Sequence, residues 1–109
     1  MSDLKQLTEA ILAFRDERDW AQYHTGKDLA ISLNVEAGEL LELFLWKKGD
    51  DVEMEGLKDE LADVFYGALL LAAHYRLDVA DIVLAKLEKN KKKYPIEKSK
   101  GSSSKYDKL

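Results

Sequence analysis

Asp28-Leu29-Ala30-Ile31-Ser32-Leu33-Asn34-Val35-Glu36-Ala37-Gly38-Glu39-Leu40-Leu41-Glu42-Leu43-Phe44 sets the fold class of this chain. Leu29, Leu33, Leu40, Leu43 and Phe44 fall on one side at helical spacing. The spacing predicts a helix capped by Asp28 and reaching about Lys48, where Gly49-Asp50-Asp51 breaks the pattern. A second long helix is predicted from about Glu55 to Tyr75, with Leu57, Leu61, Val64, Ala68, Leu71 and Tyr75 as its apolar side.

Outward from this pair, Leu4, Leu7, Ile11 and Phe14 predict an N-terminal helix ending near Arg18, with Ser2 or Asp3 as cap. Asp19 to Lys27 reads as a loop, its Trp20, Tyr23 and His24 fitting no period and Gly26 closing it. Asp78 and Asp81 predict the start of a last helix that runs to Tyr94 and stops at Pro95. One proline and six glycines leave few breakers for a many-stranded sheet. The expectation is all-α: a bundle of about four helices in residues 1–95, followed by a serine- and lysine-rich tail over 96–109.

A chain of 109 residues buries a modest core, and association with further copies would enlarge it. Cysteine is absent, which excludes disulfides and thiolate metal sites. No signal peptide is visible at Met1-Ser2-Asp3, and the apolar run from Gly67 to Ala73 is too short to span a bilayer, so a soluble, cytoplasmic protein is expected. The net charge of −4 is unevenly spread: residues 1–85 hold 18 acids and 8 bases, residues 86–109 hold 3 and 9. So acidic a body repels phosphate unless a cation intervenes.

The acids are spaced in an informative way. Ser32, Glu36, Glu39, Leu43 and Trp46 share one stripe of the first long helix, and Gly56, Glu60, Asp63, Gly67, Leu70 and His74 share one of the second. Each stripe therefore carries two carboxylates one turn apart among apolar neighbours. One such pair alone is commonly a solvated face. Two facing pairs would gather four carboxylates in a half-buried space, where unpaired charge is costly. A divalent cation resolves the conflict. Oxygen ligands without cysteine suit magnesium, with manganese as substitute, rather than zinc. A di-iron carboxylate bundle would need histidine three residues after a glutamate, and neither His24 nor His74 has one there.

Several strings together carry a resemblance: Phe14 to His24, Asp28-Leu29, Glu36-Ala37-Gly38-Glu39-Leu40-Leu41-Glu42, Phe44-Leu45-Trp46, Asp59-Glu60-Leu61-Ala62-Asp63-Val64, Asn90 to Pro95, and Ser102 to Tyr106. The chain resembles the MazG-like nucleotide pyrophosphohydrolases, in particular their dCTP pyrophosphatase branch. The resemblance implies hydrolysis of a nucleoside triphosphate to the monophosphate and pyrophosphate. It also implies a homo-oligomer, usually a tetramer built as a dimer of dimers. Glu36, Glu39, Glu60 and Asp63 would hold magnesium, and Trp20, Ala21, Gln22, Tyr23, His24 and Trp46 would lie in the nucleotide site. Ile11 stands where a histidine of that branch can contact substrate, Gly67 where a tyrosine does, and Asp28 replaces an asparagine. These departures bear on base preference.

On this reading water attacks the α-phosphorus in line, and Glu39 or Glu42 takes its proton. Trp20 and Trp46 offer faces for base stacking. Lys86, Asn90 and Lys93 share a face of the last helix and could meet base or phosphates. The competing reading is a non-catalytic helical oligomer binding nucleic acid or protein through Lys86 to Lys93; magnesium-dependent pyrophosphate release separates the two. Neither a membrane nor nucleic acid is the expected partner of the enzyme.

Overall fold

Asp3 opens the first helix by accepting the Gln6 N–H on its Oδ1 at 2.8 Å, and α1 runs Leu4–Glu17. The computed structural model describes residues 3–103, in which five α-helices and one 3₁₀ turn occur and no strand. α1 buries Ile11 and leaves Leu4, Leu7 and Phe14 more than a third exposed. It ends in a Schellman-type motif. Asp19 adopts a left-handed φ of 54°, and the Trp20 N–H reaches back to the Arg15 carbonyl at 3.1 Å. The chain reversal lays Trp20 edge-on against Phe14, with ring centroids 5.6 Å apart.

After the 3₁₀ turn Ala21–Tyr23 comes α2, Gly26–Glu42. Its cap is Thr25, whose Oγ1 accepts from the Asp28 N–H, so the expectation of Asp28 as cap is corrected. Asp28 sits in the first turn instead, where its negative charge favours the helix N-terminus. Gly26 belongs to the helix, not the loop, as the first residue after the Thr25 cap, and a neighbour sits over it. A Cβ there would lie 1.8 Å from the Tyr75 hydroxyl. The α-helical bonding also stops sooner than the predicted Lys48. From Leu43 to Lys47 the bonds tighten to the i→i+3 type, and Trp46 then takes a positive φ of 65°.

α3, Met54–His74, is capped by Glu53, which accepts the Gly56 N–H. It packs along α2 and against α1. Gly67 is buried against Leu33, whose Cα lies 3.6 Å from where a Cβ would be, and this lets the two long helices approach closely. The core is small: Ile11, Leu29, Leu69, Leu70 and Ala72. Leu61 and Tyr75, expected on the apolar side of α3, are exposed, because the buried side runs through Gly67 and Leu70 instead.

The chain divides into two compact units between Leu77 and Asp78. In the second, the Asp78 carboxylate caps α4, Val79–Lys93, accepting the Asp81 N–H at 3.0 Å. A single further turn, α5 (Ile96–Ser99), follows Pro95. The tail expected over 96–109 thus begins with a helical turn, preceded by a proline whose fixed φ suits a helix entry. Residues 104–109, which complete that tail, lie outside the described residues. Among the described residues no helix is long and apolar enough to cross a membrane.

Candidate active site

Helical periodicity places the acids. Glu36 and Glu39 are one turn apart on α2, Glu60 and Asp63 one turn apart on α3, and the close α2–α3 packing turns both pairs into the same space. Glu36, Glu60 and Asp63 each offer a carboxylate oxygen within 4.8 Å of the others. The Glu39 carboxyl is near enough to act electrostatically on both Glu36 and Glu60.

The electrostatics are unfavourable for the protein alone. Burial pushes the Glu36 carboxyl above its ordinary 4.5, and the hydrogen bond to Glu39 and the charges of Glu39, Asp63 and Glu60 push it the same way. Glu60 is raised by burial first and then by Glu39 and Asp63. Glu36 Oε2 and Glu60 Oε2 are both buried without a hydrogen-bond partner. Orphaned anionic oxygens gathered this closely fit a hard divalent cation, which would satisfy them and neutralise their repulsion.

Two clefts flank Asp63. One, of about 390 Å³, is walled by Trp20, Tyr23 and His24 from the loop, Asp28, Ser32 and Glu36 from α2, and Asp63, Tyr66 and Gly67 from α3. His24 Nδ1 is buried in this region without a partner. The other, of about 480 Å³, lies between Ala10, Ile11 and Phe14 of α1 and Trp20, Asp63 and Tyr66. Arg18 holds its outer wall in place: its guanidinium lies 3.7 Å over the Phe14 ring and donates to the Phe14 carbonyl.

The family profile that matches residues 31–109 is that of the MazG-like family. This chain belongs to the MazG-like family. Its relatives include proteins named dCTP pyrophosphatase 1 from Bos taurus, Mus musculus and Homo sapiens, each 38% identical over 104 residues and 88% of this chain. The chain spans 62% of the length of the bovine relative and 61% of the mouse and human ones. A pyrophosphatase from Archaeoglobus fulgidus DSM 4304 superposes with a TM-score of 0.77 at 36% identity, covering 87% of this MazG-like chain and 94% of that one.

The other residues expected at the site are not among those lining the two clefts. Glu42 is exposed at the last position of α2 and is not among the clustered acids. Ala21 and Gln22 are exposed in the 3₁₀ turn and line neither cleft, the Gln22 amide being held by Asp19. Trp46 is fully exposed and lines neither cleft. Lys86, Asn90 and Lys93 belong to α4 of the second unit. Sequence reasoning set Tyr66 on a different helix face from Gly67 and left it out of the site, yet it lines both clefts. The signal was available, since Tyr66 follows Asp63 by three residues, the same step that pairs Glu60 with Asp63. Ser32, already on the Glu36 stripe by spacing, and Asp28, already marked as bearing on base preference, both line the first cleft.

Proposed function

We propose that this chain is a magnesium-dependent nucleotide pyrophosphohydrolase, converting a nucleoside triphosphate and water to the monophosphate and pyrophosphate. The observation that carries this reading is the cluster of acids on α2 and α3, of which Glu36 and Glu60 are half-buried with orphaned oxygens, on a chain related to proteins named pyrophosphatases. Deoxycytidine triphosphate is the first substrate to test, from the names of those relatives.

Glu36, Glu39, Glu60 and Asp63 are assigned to hold the ion, magnesium or in its place manganese. When bound, the ion supplies charge neutralisation for the triphosphate and for the departing pyrophosphate. The protein's own groups do the rest. A water oxygen bonds to the α-phosphorus as the bond from that phosphorus to the bridging oxygen breaks, and pyrophosphate leaves with the bond's electron pair. The water's proton passes to a carboxylate. Glu39 is preferred over Glu42 because it already sits among the acids, whereas Glu42 faces solvent. Trp20 and Tyr23 border the cleft as flat surfaces for substrate, and the unpartnered His24 Nδ1 is available to it.

The same reading includes assembly into a homo-oligomer, a tetramer in the form of paired dimers. Ile31, Val35 and Gly38 form an exposed stripe on the side of α2 opposite Leu29, Leu33 and Leu40. Glycine within a helix costs about 0.5–1 kcal/mol relative to alanine, yet nothing in this chain lies within 4 Å of a Cβ at Gly38. A helix of a second copy approaching closely there gives that glycine a purpose. Trp46, and Lys86, Asn90 and Lys93, are then assigned to the nucleotide site of a neighbouring copy.

The decisive experiment measures pyrophosphate release from dCTP with magnesium and with EDTA. The enzyme requires the ion and loses turnover on Glu39→Gln while keeping its helical circular dichroism. Release indifferent to EDTA, or normal in Glu39→Gln, removes the assignment. Salt-sensitive binding of nucleic acid without turnover would favour the competing reading through α4.

A further inference from the structure

We infer that Tyr75 is a positioning residue: its ring fills the place of a side chain at Gly26 and so holds the His24–Asp28 wall of the first cleft against the helix that carries Glu60 and Asp63. This rests on the hydrolase reading above and adds to it a residue that is not among those lining either cleft.

The wall contains a loose joint. Between the 3₁₀ turn and α2 the chain passes through two extended residues, His24 with ψ 122° and Thr25 with ψ 162°. Gly26 follows as the first residue of α2, and without a Cβ its backbone has more freedom than any other residue would leave it. His24 on one side of this joint and Asp28 on the other both line the cleft beside Glu36 and Asp63. The buried, unpartnered His24 Nδ1 serves a ligand only while the wall that carries it stands still. One tie is local: the Thr25 Oγ1 accepts the Asp28 N–H at 3.1 Å. It shapes the turn but does not fix the turn against α3.

Tyr75 supplies that second tie. A Cβ at Gly26 would lie 1.8 Å from the Tyr75 hydroxyl oxygen, 2.7 Å from Cζ and 3.0 Å from Cε2, so the ring edge rests where another residue would carry its side chain. The ring is itself anchored by the end of α3. The Tyr75 N–H donates to the Ala72 carbonyl at 3.1 Å, Arg76 takes a left-handed φ of 56°, and the Leu77 N–H reaches back to the Ala72 carbonyl at 2.9 Å. His74 meets the Tyr75 ring edge-on at 5.1 Å. With Tyr75 60% exposed, the contact buries little of the ring, and its effect lies in what it holds.

The acids do not depend on this tie. Glu36 stands roughly three turns beyond Gly26. In between, Gly67 lets α3 approach Leu33, whose Cα lies 3.6 Å from where a Cβ would be. Releasing the wall therefore weakens binding and leaves the chemical step alone. A wall in its binding place only about a tenth to a third of the time lowers apparent affinity about 3- to 10-fold.

The test measures kcat and KM for dCTP with magnesium in the full chain, with helical circular dichroism as the check on folding. Tyr75→Ala is expected to raise KM about 3- to 10-fold and to keep kcat within about twofold of the parent, the pattern of lost binding. Tyr75→Phe keeps Cζ and Cε2 over Gly26 and is expected to match the parent. Gly26→Ala must displace the ring and is expected to raise KM. In the Tyr75→Ala background the same change should lower KM, because the new methyl finds room and stiffens the joint. Asp3→Ala, which removes the α1 cap, controls for lost stability alone and is expected to leave KM unchanged. An unchanged KM in Tyr75→Ala, a loss confined to kcat, or an equal rise in Asp3→Ala overturns the inference. If the parent itself releases no pyrophosphate, the failure belongs to the hydrolase reading. Amide exchange at Asp28 and Leu29 then decides alone: faster exchange in Tyr75→Ala than in the parent supports the tie, and equal rates overturn it.

Discussion

α3 and α4 are both strongly charged helices, but their charges live under opposite conditions. On α3, Glu60 is half-buried among Glu36, Glu39 and Asp63, all of its own sign. On α4, Glu88 is exposed and pairs with Lys91 at 2.8 Å on the next turn. α3 is acidic, with Lys58 its single cation, and α4 is lysine-rich, with Asp81 and Glu88 its acids; a glutamate thus sits among its own sign on one helix and among the opposite sign on the other. Charge density therefore marks no site by itself. The informative charges are those the protein holds at a cost to its own stability, because something else must relieve that cost.

The sharpest way to test this contrast is to neutralise one glutamate in each helix. Glu60→Gln is expected to cut kcat/KM on the order of 10³-fold, since a charge worth several kcal/mol to the transition state loses one of its supports. In EDTA the same variant should melt higher than the parent. The direction follows from the raised carboxyls: the native state binds protons more tightly than the unfolded chain at Glu36 and Glu60, so metal-free stability falls as pH rises above 4.5. The gap in melting temperature between variant and parent should thus widen from pH 4.5 toward neutrality and close when magnesium is added. A gap that stays constant with pH breaks the comparison.

Next in size is Gly26→Ala, expected to cost about 1–3 kcal/mol because the Tyr75 ring must leave its place over α2. Tyr75→Ala should cancel most of that penalty in a double-mutant cycle of urea melts; additive costs would show that the ring does not matter. The caps come third. Thr25→Ala and Asp78→Ala should each cost about 1 kcal/mol, one in each unit, because capping depends on local backbone and not on the site. Amide exchange in the first turns of α2 and α4 reads the two separately. Smallest is Glu88→Gln, within about 0.5 kcal/mol by thermal melting, as for other exposed pairs.

Much of this was legible before any coordinates. Three- and four-residue steps suffice to put Glu36 with Glu39 and Glu60 with Asp63, and a break at Gly49 makes the two helices neighbours. Other features depend on relations between distant segments. Thr25 and Asp28 are both competent caps by residue type, and the contact of Tyr75, from the far end of α3, over Gly26 between them is announced by no local pattern. Leu61 and Phe65 satisfy a helical period yet remain exposed, because period tells which residues share a side and not which side is covered. Glu42 and Trp46 fall near the acid stripe only if α2 continues as a regular α-helix. It does not for Trp46, which the tighter turns after Glu42 rotate away; Glu42 itself is still helical but lies exposed at the end of α2.

The placement of the two tryptophans makes the molecule its own instrument. Trp46 stands fully in water, whereas Trp20 is partly sheltered against Phe14 at the rim of both clefts. Their emission should report different events: ring-on-ring quenching when a nucleotide arrives, and a blue shift when anything covers the exposed indole. With Trp20→Phe a single emitter remains, and a dilution series of its wavelength maximum would give the association constant of the chain without a label.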